Sequence, residues 1–175
     1  SSRKYYQELG LKTPIVNFNG AFIHHPLNSS WGIYHKPLDI KVAKEIVDAC
    51  YSFQFKNIIA EVMDDLYIHY PDENLLKIFN HGNPKVKTGD LREFLDHSPT
   101  SMLIHTEKTE IDSLKSHLSD IHADVIHQRS WQDPWHVIEI VKSGLSKALG
   151  VKMVAEYLDI PRKNIIAFGD EDNDL

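Results

Sequence analysis

A single cysteine cannot form an intrachain disulfide, so no covalent staple closes this chain and a reducing, cytoplasmic setting is expected. Long apolar runs are also missing. No stretch approaches the ~20 residues that span a bilayer, and the opening Ser1-Ser2-Arg3 does not resemble a signal peptide, so no membrane partner is expected. Positive charge is in deficit: 19 Lys and Arg against 25 Asp and Glu give a net charge of −6, which argues against nucleic acid. There is no internal repeat, no low-complexity segment, no HExxH and no Cys/His cluster. Eleven histidines are many, but His117, His122 and His127 recur five apart and do not align on one helix face. His24 and His25, as strand neighbours, point to opposite faces. These histidines read as surface residues rather than a zinc site. Cys50 falls on the apolar side of a helix with Ile40, Ala43, Val47 and Tyr51, and reads as a small buried hydrophobe rather than a thiol nucleophile.

What is present is an ordinary soluble composition, 42% hydrophobic and 25% charged over 175 residues, enough to bury a core in one or two domains. The most informative stretch covers residues 144–174. Ser146 can cap a helix, and Ala148, Val151, Val154, Ala155 and Leu158 recur at helical spacing behind it. Pro161 ends that helix. Residues 164–168, Asn-Ile-Ile-Ala-Phe, have the apolar, β-branched character of a buried strand. Directly after it come Gly169 and the acidic run Asp170-Glu171-Asp172-Asn173-Asp174. Carboxylate oxygens clustered at a strand tip suit a hydrated Mg²⁺, and a lysine at a nearby helix start suits a phosphoryl group. An acidic turn without a ligand satisfies the same residues, since Asp and Asn are common turn formers.

The segments Gly144-Leu145-Ser146-Lys147 and Gly169-Asp170-Glu171-Asp172-Asn173-Asp174 resemble the third and fourth motifs of the haloacid dehalogenase-like hydrolases. More narrowly they resemble the Cof-type sugar-phosphate phosphatases, whose pattern is a GxSK-type helix start followed by GDGxND. Val137-Ile138-Glu139-Ile140 resembles the strand before that lysine, and Asn19-Gly20-Ala21 the Asn-Gly-Ala segment of the same branch. Glu171 departs from the glycine often found there. The family's nucleophile motif, an apolar strand ending in DxDGT, has no counterpart in these 175 residues, so the chain is expected to be an internal piece of an enzyme.

The resemblance implies an α/β fold in which a partial Rossmann-like hydrolase core, residues 1–20 and 136–175, flanks an inserted α+β cap over residues 21–135. Within the cap, helices are expected on one face of a sheet. Local signals place a helix over 4–9, a strand over 14–18, and a hairpin pairing 21–24 with 31–34. They place a helix behind Asp39 and strands over 58–62, 66–70, 101–105, 124–128 and 137–140. Thr109-Glu110-Ile111-Asp112 resembles a capping box opening another helix.

The resemblance further implies that Asp170 and Asp174 bind Mg²⁺, that Asn173 orients the loop or touches a phosphate oxygen, and that Lys147 holds the phosphoryl group. Asn19 either faces the site or is simply the left-handed residue of an Asn-Gly turn. Glu139 either orders the lysine loop or is a solvated carboxylate. The implied activity is Mg²⁺-dependent hydrolysis of a small phosphorylated metabolite through an aspartyl-phosphate, with the nucleophile outside this sequence. A non-catalytic binding module derived from the same fold is the alternative, since an acidic loop without an attacking aspartate can bind but not turn over. For the piece as it stands, an ordered cap, an incomplete core and no tightly held Mg²⁺ are expected.

Overall fold

The computed structural model describes residues 3–79, 84–131, 134–169 and 174. These fall into two compact units, one over Pro37–Ser143 and one combining Ser2–Lys36 with Gly144–Leu175.

The first unit is organised by strands whose residues alternate between two faces. Its strands are β4 (Phe55–Val62), β5 (Asp65–Ile68), β6 (Val86–Thr88), β7 (Ser101–Thr106), β8 (Ile126–Ser130) and β9 (Val137–Lys142), numbered after β1 (Ile15–Asn17), β2 (Phe22–His24) and β3 (Ile33–His35) of the other unit. They form a six-stranded sheet in the order β6-β5-β4-β7-β9-β8, antiparallel except at the β5/β6 edge. Ile58, Ala60, Met102, Ile104, Ile138 and Ile140 point to one face, where α2 (Ile40–Cys50), α4 (Leu91–Phe94) and α5 (Ile111–His122) cover them. The helices contribute Ile46, Val47, Leu91, Leu114 and Leu118, all fully buried. Burying such a side chain contributes roughly 1.5–3 kcal/mol each. The opposite face carries Ile59, Leu66, Ile68, Leu103 and Val137, and α3 (Glu73–Phe79) packs Leu76 there. Helices therefore occupy both faces, not one.

Capping follows the sequence in part. Asp39 accepts from the Lys41 amide at 2.7 Å and opens α2. The helix expected behind Thr109 is present as α5, with Leu114 and Leu118 buried, but Thr109 does not cap it: residues 108–110 form a 3-10 turn that leads into Ile111. Strand β6 carried no sequence signal, because all three of its residues are exposed and its pattern does not alternate. Cys50 is fully buried, and desolvation pushes its thiol up to about 12, as a packing residue requires.

The second unit contains α1 (Arg3–Glu8), the three-stranded antiparallel sheet β1 (Ile15–Asn17), β2 (Phe22–His24) and β3 (Ile33–His35), and α6 (Lys147–Tyr157). Strands β2 and β3 do pair antiparallel, but over 22–24 and 33–35 with Ile23 facing Tyr34, and Trp31 lies in a 3-10 turn rather than in the strand. Residues 164–168 differ from expectation. Arg162–Asn164 is a 3-10 turn, no strand follows it among the described residues, and Ile166 and Phe168 are 81% and 94% exposed. A buried strand needs neighbours on its hydrogen-bonding edges, and none pairs with this segment among the described residues. The α6 stripe is likewise only partly covered: Ala155 is buried while Val151 and Leu158 are exposed, lining an apolar groove with Tyr5, Tyr6 and Leu9. No helix among the described residues is long and apolar enough to cross a membrane.

Candidate active site

The candidate site lies in the second unit, where a tight turn after β1 meets the first turn of α6. Phe18, Asn19 and Gly20 all take positive φ, at 51°, 52° and 88°, and the Ala21 amide closes the turn onto the Phe18 carbonyl at 2.9 Å. Asparagine and glycine tolerate this left-handed region; phenylalanine does so at a cost. The turn brings the backbone unusually close to the helix. A Cβ on Gly20 would lie 2.5 Å from the Ser146 carbonyl oxygen, and one on Gly150 would lie 2.5 Å from Val16 Cγ1. Glycine at both positions is what lets β1 and its turn dock on α6.

That docking places the helix start. Ser146 Oγ accepts from the Leu149 amide at 3.1 Å, capping the helix as its sequence indicates. Lys147, the first helical residue, donates from Nζ to Asp174 Oδ1 at 2.6 Å. The carboxylate is the more enclosed partner, its side chain 19% exposed against 40% for the lysine. Gly169 makes room for it, since a Cβ there would lie 2.7 Å from Asp174 Oδ2 and closer still to the rest of that side chain. The structure thus brings Lys147, Asp174 and the glycine opening the acidic loop into one place, with the Asn19 turn seated against the same helix end. Asp170 and Asn173, the other two candidates of the loop, lie outside the described residues.

The arrangement has clear electrostatic consequences. An ammonium group at the positive end of a helix dipole favours an anion, and a carboxylate beside it offers hard oxygen for a cation. A phosphate ester with its counter-cation carries both kinds of charge. Glu139 takes a different place: it sits on β9 between β7 and β8 and accepts from Trp131 Nε1 at 3.1 Å, in the first unit.

Two features had escaped the sequence reading. Gly150 in the interior of α6 was one, and a glycine inside a helical pattern is the signal that could have marked it. Glu61 on β4 is the other. Desolvation pushes its carboxyl up to about 7, Glu139 adds like charge, and a hydrogen bond of 2.5 Å from Ser101 Oγ opposes both. A glutamate inside the apolar run Ile58-Ile59-Ala60-Glu61-Val62 was its sequence signal.

Known proteins of similar sequence and fold point to one family. The family profile described as haloacid dehalogenase-like hydrolase matches residues 1–175. The 5-amino-6-(5-phospho-D-ribitylamino)uracil phosphatase YitU of Bacillus subtilis (strain 168) is 53% identical over 175 residues, covering all of this chain and 65% of that protein. The chain thus spans about two thirds of that relative's length. A haloacid dehalogenase-like hydrolase from Bacteroides thetaiotaomicron superposes with a TM-score of 0.81 at 18% identity, over 99% of this chain and 66% of that one. A sugar phosphatase of subclass IIB superposes with a TM-score of 0.75 at 16% identity, over 98% and 62%. At such identities the last two speak for the fold alone.

Proposed function

The chain belongs to the haloacid dehalogenase-like hydrolases, and from that premise we propose that it carries the lysine and acidic-loop portion of a phosphatase active site. The observation that carries the reading is the Lys147–Asp174 pair at the start of α6. Lys147 binds a phosphoryl oxygen and offsets charge as the phosphorus is attacked. Asn19 and Asn173 orient the substrate and the loop. The first unit, with its six-stranded sheet, is taken as the cap and the second as part of the core, which moves the cap bounds from 21–135 to 37–143, so that the β2–β3 hairpin goes with the core and β9 with the cap. The lone buried Cys50 suits a cytoplasmic enzyme.

The attacking group is an aspartate outside this sequence. Its carboxylate oxygen bonds to phosphorus as the ester P–O bond breaks, and the departing alkoxide takes up a proton. Water then cleaves the aspartyl-phosphate, releasing inorganic phosphate and restoring the carboxylate. Asp174, whose side chain packs over Gly169 beside Lys147, and Asp170, four residues before it in sequence, fit Mg²⁺ as hard oxygen donors. Bound there, Mg²⁺ would neutralise charge on the transferring phosphoryl group.

For the substrate we propose a phosphorylated ribityl-amino pyrimidine, the class named for the relative 53% identical to this chain. The test is phosphate release by the complete protein from 5-amino-6-(5-phospho-D-ribitylamino)uracil beside a panel of sugar phosphates and nucleotides. A preference for the ribityl compound is expected. Equal or better turnover of hexose phosphates would reject this substrate while leaving the phosphatase assignment standing, and no turnover of any phosphate would favour a binding module.

A further inference from the structure

A buried histidine far along the chain from the lysine and acidic loop has both ring nitrogens committed. His69 follows β5 and is 3% exposed. Its Nδ1 accepts the Leu91 amide at 3.2 Å, and its Nε2 lies 2.9 Å from the Tyr51 hydroxyl. Because Nδ1 must present a lone pair to an N–H, the ring is neutral with its proton on Nε2, donated to Tyr51. One imidazole thus ties the end of β5 to the last turn of α2, through Tyr51, and to the start of α4, through Leu91.

A second acceptor stands beside the first bond. Asp90 Oδ1 lies 3.9 Å from His69 Nδ1 while capping the Arg92 amide at 3.0 Å. The Arg92 guanidinium grips the same carboxylate, lies 4.1 Å over the Tyr51 ring and reaches Asp48 of α2 at 3.8 Å. Asp48, Tyr51, Tyr70, Asp90 and Arg92 are therefore the titratable and charged groups around the ring, with Phe55 packing apolar against it.

We propose that His69 is a proton-operated latch: neutral, it holds α4 to the sheet through Leu91, and protonated, it must release that amide and turn Nδ1–H to Asp90. The two states differ in which partner Nδ1 serves, and a protonated ring cannot serve the Leu91 N–H. Burial opposes the charged ring, Asp90 favours it and Arg92 disfavours it, leaving the histidine below its ordinary value. A group so depressed contributes its stabilisation above the unfolded value near 6.5 and loses it as pH falls below that value. The latch is closed at pH 7.5 and opens only below the ordinary histidine value.

Nitrogen NMR and amide exchange on the full chain test this directly. At pH 7.5 the ring should show the proton on Nε2 alone. As pH falls from 7.5 through the midpoint at which the His69 ring nitrogens themselves titrate, Leu91 protection, corrected for intrinsic exchange and referenced to Ile104, should fall about tenfold or more. In His69→Asn, whose side-chain oxygen accepts the same amide but does not titrate, the ratio should stay flat. A proton on Nδ1 at pH 7.5, or a Leu91-to-Ile104 ratio unchanged in the wild type, would overturn the proposal; neither readout needs a variant to fold.

Discussion

Lys147 and Asp174 stand 27 residues apart in sequence and share a hydrogen bond of 2.6 Å from Nζ to Oδ1. Helix α6 supplies one partner rigidly, and Gly169 leaves the space for the other. In the complete protein, Lys147→Ala should lower kcat about 100-fold or more, the usual cost of removing a charge that stabilises the transition state. Steady-state kinetics on an aryl phosphate checks it. A rise in KM with kcat intact would assign Lys147 to ground-state binding instead.

Asp174→Asn keeps the shape of the pair and removes its negative charge. The Mg²⁺ concentration for half-maximal activity should rise about tenfold or more, because an amide oxygen is a weaker ligand than a carboxylate. Titrating activity against Mg²⁺ decides it, and an unchanged midpoint would remove Asp174 from the metal site.

Gly150→Ala sets two effects against each other. Alanine gains about 1 kcal/mol of helix propensity over glycine. Its Cβ, however, would lie 2.5 Å from Val16 Cγ1 and 3.2 Å from Gly20 Cα, and overpacking costs about 1–3 kcal/mol. The clash should win, lowering the urea midpoint, and Val16→Ala in the same chain should recover part of the loss. A raised midpoint in the single variant would mean that β1 does not press on α6 this closely.

Glu61 should make the protein less stable as pH rises. Its carboxyl sits at about 7 in the fold against 4.5 ordinarily, so between those values the folded state holds a proton that the unfolded state has released. The stabilisation is full below about 4.5 and disappears as pH rises through 7. Glu61→Gln keeps an acceptor for Ser101 Oγ without the charge, and should gain on the order of 2 kcal/mol at pH 8 and little at pH 5. Urea unfolding at the two pH values measures the difference; equal gains at both would show that Glu61 does not titrate there.

The sequence was most legible where the determining interactions are local. Ser146 and Asp39 cap their helices because each bonds an amide two or three residues on. Strands β4, β7 and β9 follow from short apolar runs rich in β-branched residues, which suit strands buried on both faces. Legibility failed where partners are distant. Glu61 meets Ser101 40 residues away, and His69 meets Tyr51 and Leu91 across three elements. Residues 164–168 show the converse: their composition marks a strand, but pairing decides whether one forms. The Asn19 turn was readable as left-handed, whereas its seat against Ser146 rests on two glycines 130 residues apart.

The central claim is that residues 144–174 supply the lysine and metal-loop part of a phosphatase. Its most direct test is Mg²⁺-dependent phosphate release by the complete protein, compared with Asp170→Ala at equal folded concentration. The account predicts turnover that requires Mg²⁺ and falls at least about 100-fold in the variant. Turnover undiminished by Asp170→Ala, or independent of Mg²⁺, would contradict it.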